Sequence, residues 1–157
     1  MYRWIGLFVG LLWFSAASAT PELSLETGAG IFYNKESNLV LLGVTEPAPR
    51  FLNQKSYHQF NIGHWDGPCA ASFIGLSKGL QWDFDNSFVR LSTGGSLISD
   101  TSYRLSTAFQ FYEQFMINFS FDKSSTIGLS YRHWSNAYIK EPNFGMDFVG
   151  VQVQLKW

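Results

Sequence analysis

The sequence carries a single cysteine, Cys69, among 157 residues. A lone cysteine forms no internal disulfide, so no covalent staple shapes the fold. Cys69 is read as a small buried or membrane-facing side chain. Charge is sparse as well: Asp, Glu, Lys and Arg make up 15% of the chain and the net charge is −1. No basic cluster occurs, which argues against a nucleic-acid partner. His58 and His64 have no metal-ligand partners at usable spacing, so no metal site is expected. Helical patterning is missing too, since no long apolar stripe recurs at the 3.6-residue period. The longest apolar run, Trp4 to Phe14, falls short of the ~20 residues with which a helix spans a bilayer.

What is present begins with that run. Arg3 precedes it as a short positive segment, and Ala17-Ser18-Ala19 follows as a small-residue cleavage site. This is the pattern of a secretory signal peptide over residues 1–19. Residues 20–157 then form one domain of roughly 140 residues, rich in aromatics, glycine, serine and asparagine.

That domain alternates. Leu23, Leu25, Thr27, Ala29, Ile31 and Tyr33 give one largely apolar face, opposite Glu22, Ser24, Glu26, Gly28, Gly30 and Phe32. From Leu105 to Phe121 the odd positions are mostly aromatic or aliphatic. The even ones include Ser106, Gln110, Gln114, Asn118 and Ser120. Asp122 to Ser125 reads as a turn. Further strands are expected over Thr126 to Ser135 and Met146 to Trp157. In the middle, Ser37–Val44, Tyr57–Trp65, Ala71–Trp82 and Ser87–Ile98 are expected strands of ambiguous parity. Thr45 to Arg50, with Pro47 and Pro49, is expected to be a loop, because proline donates nothing to a ladder. The wet face of a soluble sandwich would carry more charge. An uncharged polar face opposite an aromatic one suits the lumen and lipid wall of a small outer-membrane barrel, and the length fits eight strands. The expected fold class is an all-β, eight-stranded antiparallel transmembrane barrel.

Parity then places three polar residues where they are costly. His133 and Ser135 continue the face of Ile127, Leu129 and Tyr131, and Asp147 shares the face of Val149, Val151 and Val153. All three project toward lipid, at strand ends joined by the loop 136–145. Both termini of such barrels lie in the periplasm, so the outward-running seventh strand carries His133 and Ser135 to the extracellular side. A serine nucleophile needs a base, and the base needs a group that fixes its tautomer and stabilises its charge. Asn136 adds an amide able to donate to a developing oxyanion. The plain alternative is a set of rim polar residues in a serine-rich chain. Glu113 shares the lipid-facing parity of its strand and has no account from parity alone.

The stretch from His133 to Asp147, HWSNAYIKEPNFGMD, resembles the signature of the outer-membrane lipid A 3-O-deacylase family, roughly H-x-S-N-A-x-x-K-x-P-N-x-G-[apolar]-E. The resemblance covers the last two strands. It implies a triad on the outer wall, with Ser135 as nucleophile, His133 as general base and Asp147 where the family has glutamate. It also implies an oxyanion hole to which Asn136 contributes, and to which a backbone N–H at Tyr138, where the family often has glycine, contributes in turn. Glu141 is a second carboxylate nearby, ranked below Asp147 because it sits in the loop. Pro142-Asn143 and Gly145 have turn chemistry. Lys140 is either a solvated loop charge or a contact for a lipid A phosphate.

The implied activity is hydrolysis of the 3-hydroxyacyl ester at position 3 of lipid A in the outer leaflet, by a serine esterase without a cofactor. The implied partners are lipopolysaccharide and outer-membrane lipids. The sequence leaves the oligomeric state open, a homodimer included. Two other readings stay open: a non-catalytic small barrel, and another lipid-active barrel such as a phospholipase or acyltransferase.

Overall fold

The computed structural model describes residues 20–31 and 36–156. The expected signal peptide, Phe32, Tyr33 and the terminal Trp157 lie outside the described residues. Eight antiparallel strands follow one another: β1 (Glu22–Gly30), β2 (Asn38–Phe51), β3 (Gln54–Trp65), β4 (Ala71–Phe84), β5 (Ser87–Ile98), β6 (Phe109–Ser120), β7 (Ser125–Ser135) and β8 (Met146–Lys156). Each pairs with the next, and β8 returns to β1 to close the barrel. Closure satisfies every interior strand edge, which is what allows a sheet to cross a membrane. Most outward side chains are apolar, among them Leu25, Leu42, Ile62, Leu76, Leu91, Phe115, Leu129 and Val151. This is the lipid-facing band of a membrane-spanning barrel.

The two ends differ. Leu52-Asn53, Asp85-Asn86 and residues 121–124 make tight connections at the end where β1 begins and β8 ends. Leu52 and Asn53 take φ of 50° and 64°, the left-handed pair of a two-residue hairpin turn. The opposite end carries the longer segments 66–70, 99–108 and 136–145. Short turns belong to the periplasmic side of such barrels and long loops to the extracellular side.

The interior has two zones. Beneath the long loops, Leu39, Leu41, Trp65, Phe73, Tyr112, Trp134 and Phe148 fill the lumen with Cys69 among them. Trp134 lies 5.3 Å from the rings of both Trp65 and Phe73, and its contact with Phe148 is edge-on at 5.7 Å. Farther down the lumen is polar. Arg132 donates to both carboxylate oxygens of Glu26 at 2.9 Å, and Ser130 donates to the same group at 2.7 Å. Arg90 is held by Glu22 at 2.7 Å and Gln81 at 2.7 Å.

Two expectations change. Pro47 and Pro49 lie within β2, not in a loop. Strand β1 pairs with β2 only as far as Thr45, while β3 continues to pair beyond it. The prolines therefore sit where β2 has a single neighbour, and a missing N–H leaves no ladder bond unmade on the open side. The sixth strand starts at Phe109, not Leu105. Leu105 instead turns inward and bridges to Asn143 of the neighbouring loop.

Candidate active site

The site is set by register. His133 on β7 lies directly opposite Asp147 on β8, and their side chains meet on the outer wall with His133 Nδ1 2.8 Å from Asp147 Oδ1. Both are partly shielded. With the carboxylate ionised, Nδ1 carries the proton and donates, which leaves Nε2 as the acceptor. The shorter side chain of aspartate reaches the imidazole because the two residues are direct cross-strand partners. Tyr131, two residues before His133 on the same face, donates its hydroxyl to the same Asp147 oxygen at 2.6 Å. The sequence analysis did not single out Tyr131, although its parity with His133 is the signal that finds it.

Ser135 is the last residue of β7 and shares this wall with His133. Between them Trp134 points the other way into the aromatic plug, fully buried, which fixes the strand and so the direction of both neighbours. Among the described residues the Ser135 hydroxyl has no hydrogen-bond partner. Serine–histidine bonds are often loose without substrate and tighten when it binds.

Gly145 has φ of 68°, a conformation that disfavours a side chain. A Cβ there would stand 2.7 Å from His133 Cε1. The glycine thus lets the loop pass directly against the His133 imidazole. Its carbonyl accepts a hydrogen bond from Arg104 Nε at 2.9 Å. The neighbouring loop is docked here at further points, among them Phe144 N to Arg104 O at 3.1 Å, Ser106 Oγ to Lys140 O at 2.7 Å, and the Leu105–Asn143 bridge. Arg104 and Ser106 lie some 30–40 residues upstream, so local pattern gave no sign of them.

Asn136 faces inward. Its Nδ2 donates to Ser106 Oγ at 3.0 Å and to Lys140 O at 2.7 Å, and its backbone N–H donates to Asn143 Oδ1 at 2.9 Å. The side-chain amide expected to serve an oxyanion is therefore spent on folding the loop, because even parity turns it away from Ser135. Asn136 O accepts from Ile139 N at 3.0 Å, closing a turn whose central residues Ala137 and Tyr138 have φ of 51° and 60°. The position where the family often has glycine is thus left-handed here. Lys140 and Glu141 are exposed in the loop. His58 lies on the outer wall of β3, and His64 Nδ1 stands 3.2 Å from Ser72 Oγ. Among the described residues no group of acidic, histidine and cysteine side chains could hold a metal.

The family model described as "Lipid A 3-O-deacylase (PagL)" matches residues 48–156. The chain belongs to the PagL family. Lipid A deacylase PagL of Bordetella bronchiseptica is 39% identical over 71 residues, covering 43% of this chain and 40% of that protein. The match thus spans less than half the length of this curated relative. Among solved structures, the outer membrane enzyme PagL superposes with a TM-score of 0.69 at 17% identity, over 85% of this chain and 98% of that one. The N-terminal barrel of Pseudomonas aeruginosa OprF gives 0.66 at 10% identity, over 88% and 97%. A designed transmembrane barrel gives 0.64 at 9%. At such identities these likenesses concern the eight-stranded barrel alone. The PagL family match includes every residue of the site, from Arg104 to Asp147.

Proposed function

We propose that this barrel is an outer-membrane serine esterase that removes the 3-hydroxyacyl chain from position 3 of lipid A. The observation that carries this is the His133–Asp147 pair beside Ser135 on a lipid-facing wall, in a member of the PagL family. Polar groups there cost stability, and a triad is the use that fits all three. Their position at the long-loop end supports this reading, since long loops mark the extracellular side of such barrels.

Ser135 Oγ attacks the ester carbonyl and its proton passes to His133 Nε2. Asp147, held by the Tyr131 hydroxyl, stabilises the imidazolium that forms. The oxyanion is taken by backbone N–H groups of the left-handed turn at Ala137 and Tyr138, and Asn136 contributes by holding that turn in shape. Collapse of the intermediate breaks the bond to the sugar oxygen, which takes the proton from His133. Water, deprotonated by His133, then attacks the acyl-serine, releases the fatty acid and restores the Ser135 hydroxyl. No cofactor enters these steps. Lys140, exposed beside the turn, is placed to meet a lipid A phosphate. The chemistry is complete within one barrel, whether the protein is a monomer or a homodimer.

The test is mass spectrometry of lipid A from cells expressing the wild type or Ser135→Ala at equal folded levels. Loss of one 3-hydroxyacyl mass in the wild type alone is the expected result. Unchanged lipid A in both, with the barrel folded in the outer membrane, rejects this substrate. A lysophospholipid product, or a gain of acyl mass, points to a different lipid reaction.

A further inference from the structure

The tight-turn end of the barrel holds a polar cavity that the proposed chemistry does not use. Strand β1 begins at Glu22 and pairs with β2 only as far as Thr45. Beyond that point β2 and β3 run on together as a hairpin to Phe51 and Gln54. This extension forms one wall of a vestibule of about 400 Å³ at the mouth of the lumen. Pro47 lines it, and Ser56 Oγ donates to Pro49 O within the hairpin. The two prolines stiffen that wall by fixing φ. Glu22 and Lys156 add to the lining from the ends of β1 and β8.

Four cations line the vestibule: Arg50, Lys55, Arg90 and Lys156. Arg90 is the buried one. Glu22, Gln81 and Gln154 accept its hydrogen bonds, and its guanidinium stacks on the rings of Tyr57 and Phe88 at 4.8 and 4.7 Å. Glu22 also meets Lys156 at 3.6 Å, so one carboxylate serves two cations. Asp83 pairs with Lys55 at 2.7 Å. Among the described residues Arg50 has no ion-pair partner. Four cations against two carboxylates leave two positive charges unmatched. Thr45 lines the same space. It is 2% exposed, and its hydroxyl has no hydrogen-bond partner among the described residues. A buried polar group left unpaired costs stability until a ligand or water meets it.

We propose that this vestibule is a binding site for a soluble phosphate group entering from the periplasmic end, as the free ion or on a small phosphomonoester. A phosphomonoester carries a charge of about −1.5 to −2 at neutral pH and three strong acceptor oxygens. That charge balances the two unmatched cations, whereas a carboxylate supplies one charge and leaves the other uncompensated. The Thr45 hydroxyl donates to one phosphate oxygen. Arg50 and Lys156, whose side chains are open to solvent at the rim, donate to the others through charge-assisted bonds. Arg90, held in place before the ligand arrives, supplies a fixed positive field behind them. The lining residues face the mouth of the lumen and not the lipid wall, which favours a soluble ligand over a lipid headgroup. The aromatic plug separates the vestibule from the long-loop end, so the site is reached from one side of the membrane and does not depend on the esterase function above.

The experiment is calorimetric titration of the full barrel in phosphatidylcholine nanodiscs with inorganic phosphate, glycerol 3-phosphate and acetate at constant ionic strength. Saturable binding of both phosphates at one site per barrel is expected, about 10-fold or more tighter than acetate. Arg50→Gln and Lys156→Gln, each at an exposed rim position, should weaken phosphate binding by about 3- to 10-fold. Thr45→Val, which removes the hydroxyl and keeps the shape, should weaken it by a similar factor. Lys123→Gln, in a turn at the same end but outside the vestibule, should change nothing. Heat-modifiable gel mobility confirms that each variant is folded. A folded wild type that shows no saturable phosphate binding overturns the proposal, and so does equal affinity for phosphate and acetate. An equal loss in Lys123→Gln would reduce the effect to general surface charge and overturn it too. Phosphate binding that vanishes when the discs contain phosphatidic acid would hand the site to a lipid headgroup and overturn the soluble ligand.

Discussion

Asp147 receives two hydrogen bonds on one oxygen, from His133 at 2.8 Å and Tyr131 at 2.6 Å, and this arrangement fixes what its loss should do. In Asp147→Asn the amide can keep the Tyr131 bond through its oxygen while presenting N–H groups to His133. The imidazole would then accept at Nδ1 and carry its proton on Nε2, the nitrogen that takes the serine proton in the proposed mechanism. In triads of this kind the wrong tautomer costs up to ~10⁴ in kcat. The pair here is partly open to its surroundings, with side-chain exposures of 31% and 19%, so other tautomers remain accessible. The expected loss is about 10²- to 10³-fold in kcat, with KM little changed because neither group binds the ground state. Tyr131→Phe removes one neutral donor, and about 3- to 10-fold is expected. Because Tyr131 acts only through Asp147, the double variant should be no worse than Asp147→Asn alone. The assay is release of fatty acid from purified lipid A by each folded variant. Asp147→Asn within threefold of wild type, or a double variant showing the product of both effects, would refute this account of the triad.

Gly145→Ala should keep the barrel but lose activity about 100-fold, since its Cβ would displace the His133 ring and small misplacements of a catalytic group are costly; Gly145→Ala at wild-type kcat would show that the loop gives way instead. Glu26→Gln strips the buried Arg132 of its ion-pair partner, and a loss of about 3–5 kcal/mol in urea unfolding is expected. Asp122, in the turn between β6 and β7, is held below its ordinary pKa of 3.8 by the Ser124 backbone N–H. A depressed folded pKa means that stabilisation is present above the ordinary value and drains away as pH falls through the folded one. Unfolding midpoints of wild type and Asp122→Asn should therefore differ at neutral pH and converge below pH 3.8.

The barrel was legible because side chains alternate with period two, and a closed sheet makes that alternation a choice between lumen and lipid. Val149, Val151 and Val153 show it directly. The same parity put His133, Ser135 and Asp147 on one wall before any register was known. Asn136 was read from the motif's chemistry as an amide donor to the oxyanion, and only the contacts with Ser106 and Lys140 show how that amide is used. The prolines of β2 misled because a one-sided extension cannot be told from a loop without knowing where β1 stops pairing. Glu113 looked anomalous for a related reason: its place beside His133 depends on the register between β6 and β7, which no single strand reveals. Arg104 lay beyond any local pattern, since its role is to hold the carbonyl of a residue in another loop.

The aromatic plug beneath the long loops has an electrical consequence. Trp65, Trp134, Phe148 and their neighbours seal one half of the lumen, and the ion pairs below them are bound to the wall. Reconstituted in a planar bilayer, the barrel should carry no measurable ionic current. A barrel plugged in this way adds no solute pathway to the envelope, however many copies it holds.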